Sequence, residues 1–320
     1  MSTTELVVSG LGVVTPWTDR PRRAAAPPTP APPPDDSWFD VTARLGPRGY
    51  RYLPAASAYL LAATRAAVAD AGGIGHVAAD ARAAVVATNH AATGVLDGMD
   101  DTVTREGSDG LSPALAPYFS INTYVGRVAT EYETRAFAVT LTSPAVAGFD
   151  ALALAATSLA RGRAGVLVVG TTEARLPAGH RASGADETGA AALVLEPAAA
   201  ARARGARVHG TVRARTLCLP DGQPPSGGPL AAALDALLKD GDRAPLTVHL
   251  VADDSPVAEL TAQALKPHGT VRRAPLGAGC LAPALRLVQS LASDGERHLV
   301  AVAQGTGHVA LALVTAEEAA

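Results

Sequence analysis

Apolar positions along the chain fall into two alternating kinds of run. Short Val-rich stretches stand between longer ones in which apolar residues recur at helical spacing. ELVVSGLGVVT (5–15) reads as a buried strand with a glycine break, ended by Pro16. PAASAYLLAATRAAVADAG (54–72) predicts an amphipathic helix closed by glycine. AAVVAT (83–88) and 136–141 read as strands, whereas 94–116 is polar and glycine-containing and reads as loop with irregular helix. Ser143-Pro144 predicts a helix start, because Ser caps and Pro has the φ of a first helical residue. That helix should run to about Arg161, with GVLVVG (165–170) and 190–195 as the next strands.

The same alternation continues to the end. A strand over 207–217, a helix over 229–239 and a strand over 246–252 lead to Ser255-Pro256, a second helix start of the same kind. A helix over 281–293 precedes HLVAVAQGTGHVALALV (298–314), two apolar runs around Gln304-Gly305-Thr306-Gly307 that read as a hairpin. Strands alternating with helices predict a layered α/β protein whose central strands are covered on both faces. Residues 21–36, with three successive prolines at 32–34, cannot continue a helix or a central strand and read as an extended surface loop.

Composition sharpens this picture. At 320 residues the chain fits two compact halves or one large α/β unit. Apolar residues make up 48 % but aromatics only 4 %, so the core must be built from Ala, Val and Leu. A net charge of −3 and the lack of a long basic run argue against nucleic acid as a partner. Cys218 and Cys280 have neither metal-type spacing nor a disulfide framework and read as buried or half-buried thiols. No signal peptide is evident, and Arg161 and Arg163 interrupt the most apolar stretch, so a cytoplasmic protein without a membrane span is expected.

Several stretches, in order along the chain, resemble one family. VVSGLGVVTP (7–16) resembles the opening strand of β-ketoacyl synthases of the thiolase superfamily. SPAVAGFDALALAATSLARGRAGVLVVGTTEA (143–174) is similar to the helix and strand around their nucleophile, where the pattern runs T-x-C-x-S-G-x-D-A-L and ends in G-x-x-E. LCLPDGQPP (217–225), LGAGCLAPALRLV (276–288) and GTGHVALALV (305–314) resemble the family's P-D-G loop, its L-G-A-A-G-A-L-E segment and its closing hairpin. Residues 39–72 resemble the first helical region of chain-length-factor (ketosynthase β) subunits of bacterial type II polyketide synthases.

The resemblance implies a thiolase-like fold: two similar βαβαβαββ-type halves, about 1–200 and 201–320, in an α-β-α-β-α layered arrangement, and an obligate dimer. The chain is shorter than such subunits, and the segments 21–36 and 175–188 suggest trimmed insertions. Condensation in this family needs a cysteine thiolate at a helix N-terminus and two histidines that stabilise the enolate and oxyanion. Anchoring on Gly148, Asp150 and Ala151 puts Ala145 at the cysteine position. Anchoring on Pro256 and Ala264-Leu265 puts Val251 at the first histidine, and Leu276-Gly277 puts Ala274 at the second. Three separately anchored losses read as a dead site.

The resemblance therefore implies a non-catalytic, chain-length-factor-like subunit. Its partners would be a cysteine-bearing ketosynthase and an acyl carrier protein, and it would need no cofactor or metal. The helix 145–161 and the region 118–130 are where interface and acyl tunnel are expected, with Tyr118, Phe119 and Tyr124 as bulky gate candidates or, more plainly, core aromatics. Two alternatives stand beside this: a scaffold with a closed tunnel, and an acyltransferase or hydrolase. The latter would use Ser143 as nucleophile and His249 as base, since each lies two residues before a lost position. The plainer reading makes Ser143 a helix cap and His249 a core residue. Asp253-Asp254 reads as solvated caps, His268 as surface, and His308 as a turn-edge residue.

Overall fold

The computed structural model describes residues 5–25, 36–180, 184–219, 227–238 and 246–318. The strands are β1 (Leu6–Val14), β2 (Arg82–Ala87), β3 (Phe137–Leu141), β4 (Val166–Glu173), β5 (Gly189–Pro197), β6 (Gly210–Cys218), β7 (Thr247–Ala252), β8 (Val271–Pro275), β9 (Arg297–Ala303) and β10 (His308–Ala316). The helices are α1 (Val41–Leu45), α2 (Ala55–Asp70), α3 (Thr93–Glu106), α4 (Asn122–Tyr132), α5 (Ala147–Ala160), α6 (Ala198–Ala203), α7 (Gly228–Leu238), α8 (Pro256–Leu265) and α9 (Leu281–Leu291).

The ten strands form one sheet in the order β3-β2-β4-β5-β1-β6-β10-β9-β7-β8. Adding five to each label of the first five turns 3-2-4-5-1 into 8-7-9-10-6, so the second half repeats the topology of the first about a central seam. In each half the strand that follows the first helical connection pairs in parallel with two neighbours, β2 with β3 and β4, β7 with β8 and β9. The last strand of each half then returns antiparallel. The seam is narrow: β1 and β6 share the single ladder pair Val8↔Gly210.

Three apolar clusters define the layers. Tyr59, Leu60 and Leu61 of α2 with Tyr124, Val125 and Val128 of α4 cover one face of the first half-sheet. Leu230, Leu234 and Leu237 of α7 with Val257, Ala258 and Leu265 of α8 cover the outer face of the second. Between the half-sheets lie α5 and α9, whose Phe149, Leu152, Leu281 and Leu287 join strand residues from both halves. The order is helix, sheet, helix, sheet, helix, the thiolase-like layering of ketosynthases.

Small residues permit this packing. A Cβ at Gly10 or Gly12 of β1 would come within 2.0 Å of the carbonyl oxygen of Ala67 or Ala63 on α2. Helix backbone therefore lies directly on strand backbone there, and no other residue fits.

The structure departs from the sequence expectations in a few places. Residues 94–116 contain a regular helix, α3; Val95, Met99 and Val103 are spaced for it, but its polar surroundings and Gly94 and Gly98 hid the stripe. Residues 122–132 and 271–275 add α4 and β8. Ser143-Pro144 does not open a helix: α5 starts at Ala147, behind a turn, and has no side-chain cap. Ser255-Pro256 does open one, with the Ala258 amide donating to Ser255 Oγ at 3.2 Å. Cys218 is exposed rather than buried, and Cys280 is buried. Most of the proline-rich loop at 21–36 and residues 220–225 of the P-D-G loop lie outside the described residues, although 21–23 and 36–38 form short 3-10 turns. Among the described residues no helix is long and apolar enough to cross a membrane.

Candidate functional site: a ketosynthase centre without its polar groups

The positions that the sequence resemblance assigns to catalysis, Ala145, Val251 and Ala274, lie where several chain turns meet. Ala145 is buried in the turn between β3 and α5. Its amide donates to Gln304 Oε1 at 3.2 Å, a carboxamide from the β9–β10 turn. The next residue of that turn, Gly305, donates its amide to Asp253 Oδ2 at 2.8 Å, just beyond β7. Val251 of β7 and Ala274 of β8 are register partners on neighbouring parallel strands, and the Leu276 amide bonds the Ala252 carbonyl at 3.1 Å behind them. The ends of β7 and β8 and the start of α5 are thus tied together through Gln304 and Gly305. The side chains at the three family positions are a methyl, an isopropyl and a methyl. None can accept an acyl group, donate a hydrogen bond or transfer a proton.

The space behind this centre is nearly full. The apolar pocket between α5, α9, β4 and β5, lined by Phe149, Leu152, Leu193 and Leu287 among others, holds about 10 Å³. That is room for about one water and not for an alkyl chain.

A polar centre does exist nearby, and sequence reasoning did not single it out. Glu173, at the end of β4, is buried and accepts from the amides of Asn89 (2.9 Å) and His90 (2.8 Å) and from the Thr88 hydroxyl (3.2 Å). It also accepts from the amide and the thiol of Cys280, both at 3.1 Å. Glu187 accepts from the amides of Leu281 (2.7 Å) and Ala282 (3.0 Å). Two carboxylates therefore cover the N-terminus of α9, where the helix dipole favours negative charge. Burial, then the neighbouring Glu173, push the Glu187 carboxyl up to about 7. Burial and the same two carboxylates raise the Cys280 thiol well above its ordinary value, the opposite of nucleophile activation. The closing glutamate of the G-x-x-E pattern signals Glu173 in sequence; nothing local signals Glu187.

The remaining sequence candidates separate. Tyr124 is buried in the outer layer, its hydroxyl donating to the Ala91 carbonyl at 2.8 Å, and Tyr118 packs edge-on to it at 5.9 Å. Phe119 is 67 % exposed. Leu96 and Val103 of α3, beside the turn that carries Phe119, are exposed as well. His249 stacks on His298 at 5.5 Å, and burial, then Arg286, push its imidazole down to about 4. Ser143, half-buried, precedes the α5 turn, and among the described residues no hydrogen bond joins it to His249. Of the acidic pair, Asp253 is tied to Gly305 and Asp254 lies 3.6 Å from Arg273. His308 bonds Thr306 within the final turn at 2.9 Å. Among the described residues no cluster of three or more potential ligands could hold a metal.

The layered sheet and the meeting of a helix start with two parallel strand ends define a ketosynthase-type protein. The chain belongs to the β-ketoacyl synthase family: that family's N-terminal domain matches residues 28–216, more than half of the sequence. None of the curated protein sequences matches the chain. Among solved structures it is similar to the ishigamide ketosynthase/chain length factor, with 20 % identity, a TM-score of 0.76 and coverage of 98 % of this chain and 99 % of that one. It is also similar to a chain of the structure of a type II polyketide synthase acyl carrier protein in complex with its ketosynthase bound to the hexaketide (16 % identity, TM-score 0.73, coverage 98 % and 99 %). A β-ketoacyl synthase from Burkholderia phymatum shares 17 % identity at a TM-score of 0.66, with the same coverage. At these identities the likeness is one of fold.

Proposed function

We propose that this chain is a non-catalytic, chain-length-factor-like subunit that pairs with an active ketosynthase in type II polyketide or fatty-acyl biosynthesis. The observation that carries the reading is the state of the centre. By resemblance Ala145, Val251 and Ala274 stand at the three catalytic positions, and the Ala145 amide, a donor ahead of α5, is engaged by Gln304. An amide already bonded inside the protein is not free to stabilise an oxyanion. The two thiolase-like halves, 1–200 and 201–320, then serve as a dimer half rather than as an enzyme.

The nearly filled space between α5 and α9 supports an acyl tunnel outside this chain's own core, along a boundary with the partner. Phe119, Leu96 and Val103 supply exposed apolar surface on the first half and are the side chains placed to line that boundary. An acyl carrier protein would then deliver substrate to the partner's cysteine. A scaffold whose tunnel is closed altogether is the second reading, favoured by the same absence of internal space.

Co-expression with a cysteine-bearing ketosynthase, followed by sizing and native mass measurement, tests the proposal. A one-to-one heterodimer is expected. A homodimer that ignores every ketosynthase offered, or an acyl adduct on this chain at Ser143 after incubation with acyl thioesters, overturns it. In the heterodimer, Phe119→Ala should alter product length if a tunnel runs along the boundary, and leave it unchanged if the chain is a scaffold.

A further inference from the structure

A second polar site lies along the C-terminal half of α9, between that helix and the β8–β7–β9 edge of the sheet. The cavity there measures about 420 Å³. Strand register builds one wall: His249 of β7 pairs with Arg272 of β8, and His298 of β9 stacks on His249 with rings inclined by 27°. The helix supplies Arg286, Gln289 and Ser290.

The charges in this cavity do not balance. Arg286 is half-buried, and among the described residues its guanidinium bonds only neutral acceptors, Gln289 Oε1 at 2.9 Å and the Ala25 carbonyl at 3.3 Å. Arg272 has neither an ion pair nor a hydrogen bond among the described residues. The two carboxylates at the rim are otherwise placed: Asp294 pairs with Arg22, and Glu296 lies 3.4 Å from His298 Nε2. Burial, then Arg272, lower the Arg286 guanidinium, and burial and the same arginines lower both imidazoles. Two further polar atoms have no partner among the described residues: Ser290 Oγ, a donor, and His298 Nδ1, an acceptor, because the Ser293 hydroxyl donates to the Ser290 carbonyl and so takes the His298 Nε2 proton at 2.6 Å. Cations gathered at a partly buried place without counter-charge destabilise the fold unless an anion joins them.

We propose that this cleft binds a phosphate monoester or inorganic phosphate. Two guanidiniums approaching from different elements, one from a strand and one from a helix, suit a tetrahedral dianion with several acceptor oxygens. An N–H of the His249 imidazole and the Ser290 hydroxyl add neutral donors around it. The cavity is large enough for a phosphate carrying an organic body. The site stands apart from the Ala145 centre and does not depend on the pairing proposed above.

Isothermal calorimetry at fixed ionic strength, titrating inorganic phosphate or adenosine monophosphate against a chloride control, tests the proposal. Saturable one-to-one binding is expected. Arg272→Gln and Arg286→Gln should each weaken it about tenfold or more, the usual effect of losing a charged hydrogen-bond partner. Arg272 is exposed, so its variant is expected to fold as the parent does. The imidazole carbon-bound proton signals of His249 and His298 should also shift on phosphate addition, and not in the doubly substituted protein. Tighter binding of adenosine monophosphate identifies an organic phosphate as the ligand; equal or weaker binding identifies free phosphate. Absence of saturable heat with both probes, or binding that survives the double substitution, overturns the proposal.

Discussion

The helices α5 and α9 occupy equivalent places in the two halves, each following an edge strand and leading into the third strand from that edge, yet their N-termini are built in opposite ways. The start of α5 has no side-chain cap, and the Ala145 amide ahead of it meets one neutral carboxamide. The start of α9 carries a thiol at its cap position and two carboxylates on three successive amides. A thiolate needs a helix start whose positive field is unspent. Here the open start lacks sulfur, and the start with sulfur has its field already neutralised. The two helix starts thus divide between them the two features, sulfur and an open field, that a thiolate would need together.

The comparison breaks most severely at Glu173. Glu173→Ala would leave five donors without this acceptor: the Thr88 hydroxyl, the Asn89, His90 and Cys280 amides, and the Cys280 thiol. A loss of about 3 kcal/mol or more is expected, measured by urea unfolding. The effect should exceed that of any single change at the start of α5.

Glu187 sharpens the comparison through pH. Its folded value is about 7 against 4.5 in a free chain, so the folded state holds its proton more tightly. The stabilising contribution is complete below 4.5 and is lost as pH rises through 7. Glu187→Gln stays neutral throughout. Its stability relative to the parent should rise between these pH values and level off above them. A flat difference across that range would remove Glu187 from the electrostatics of α9. His249, lowered to about 4, contributes the opposite slope, but equally to both proteins, and cancels in the difference.

The smallest effect is expected at Gln304. Gln304→Ala removes one neutral hydrogen bond from the Ala145 amide, for about 1 kcal/mol or less. Hydrogen exchange at that amide should accelerate, whereas exchange at the Cys280 amide should not change.

Much of the fold was readable because the elements that carry it obey one rule each. Val-rich runs became buried strands, and Ser255-Pro256 capped α8 through local chemistry. The failures have a common cause. Ser143-Pro144 carries the same two residues, but tertiary contacts to the Ala145 amide and, from Asn89, to the Pro144 carbonyl hold that segment as a turn. Local propensity was overridden there by long-range bonds. At the centre, neighbours in sequence assign Ala145, Val251 and Ala274 by resemblance, and the structure brings Val251 and Ala274 into register. Gln304, Glu187 and the Arg272–Arg286 cluster could not, since each acquires its meaning from partners far away along the chain.

The contact of β1 with α2 has a consequence for how this sequence can vary. At Gly10 and Gly12 the carbonyl oxygens of Ala67 and Ala63 already occupy the place of a side chain. The distance between strand and helix is therefore a fixed gauge, set by main chain against main chain. Variation at this contact is a ratchet: every enlargement must push two layers apart at once, so drift there can reach only residues no larger than those present.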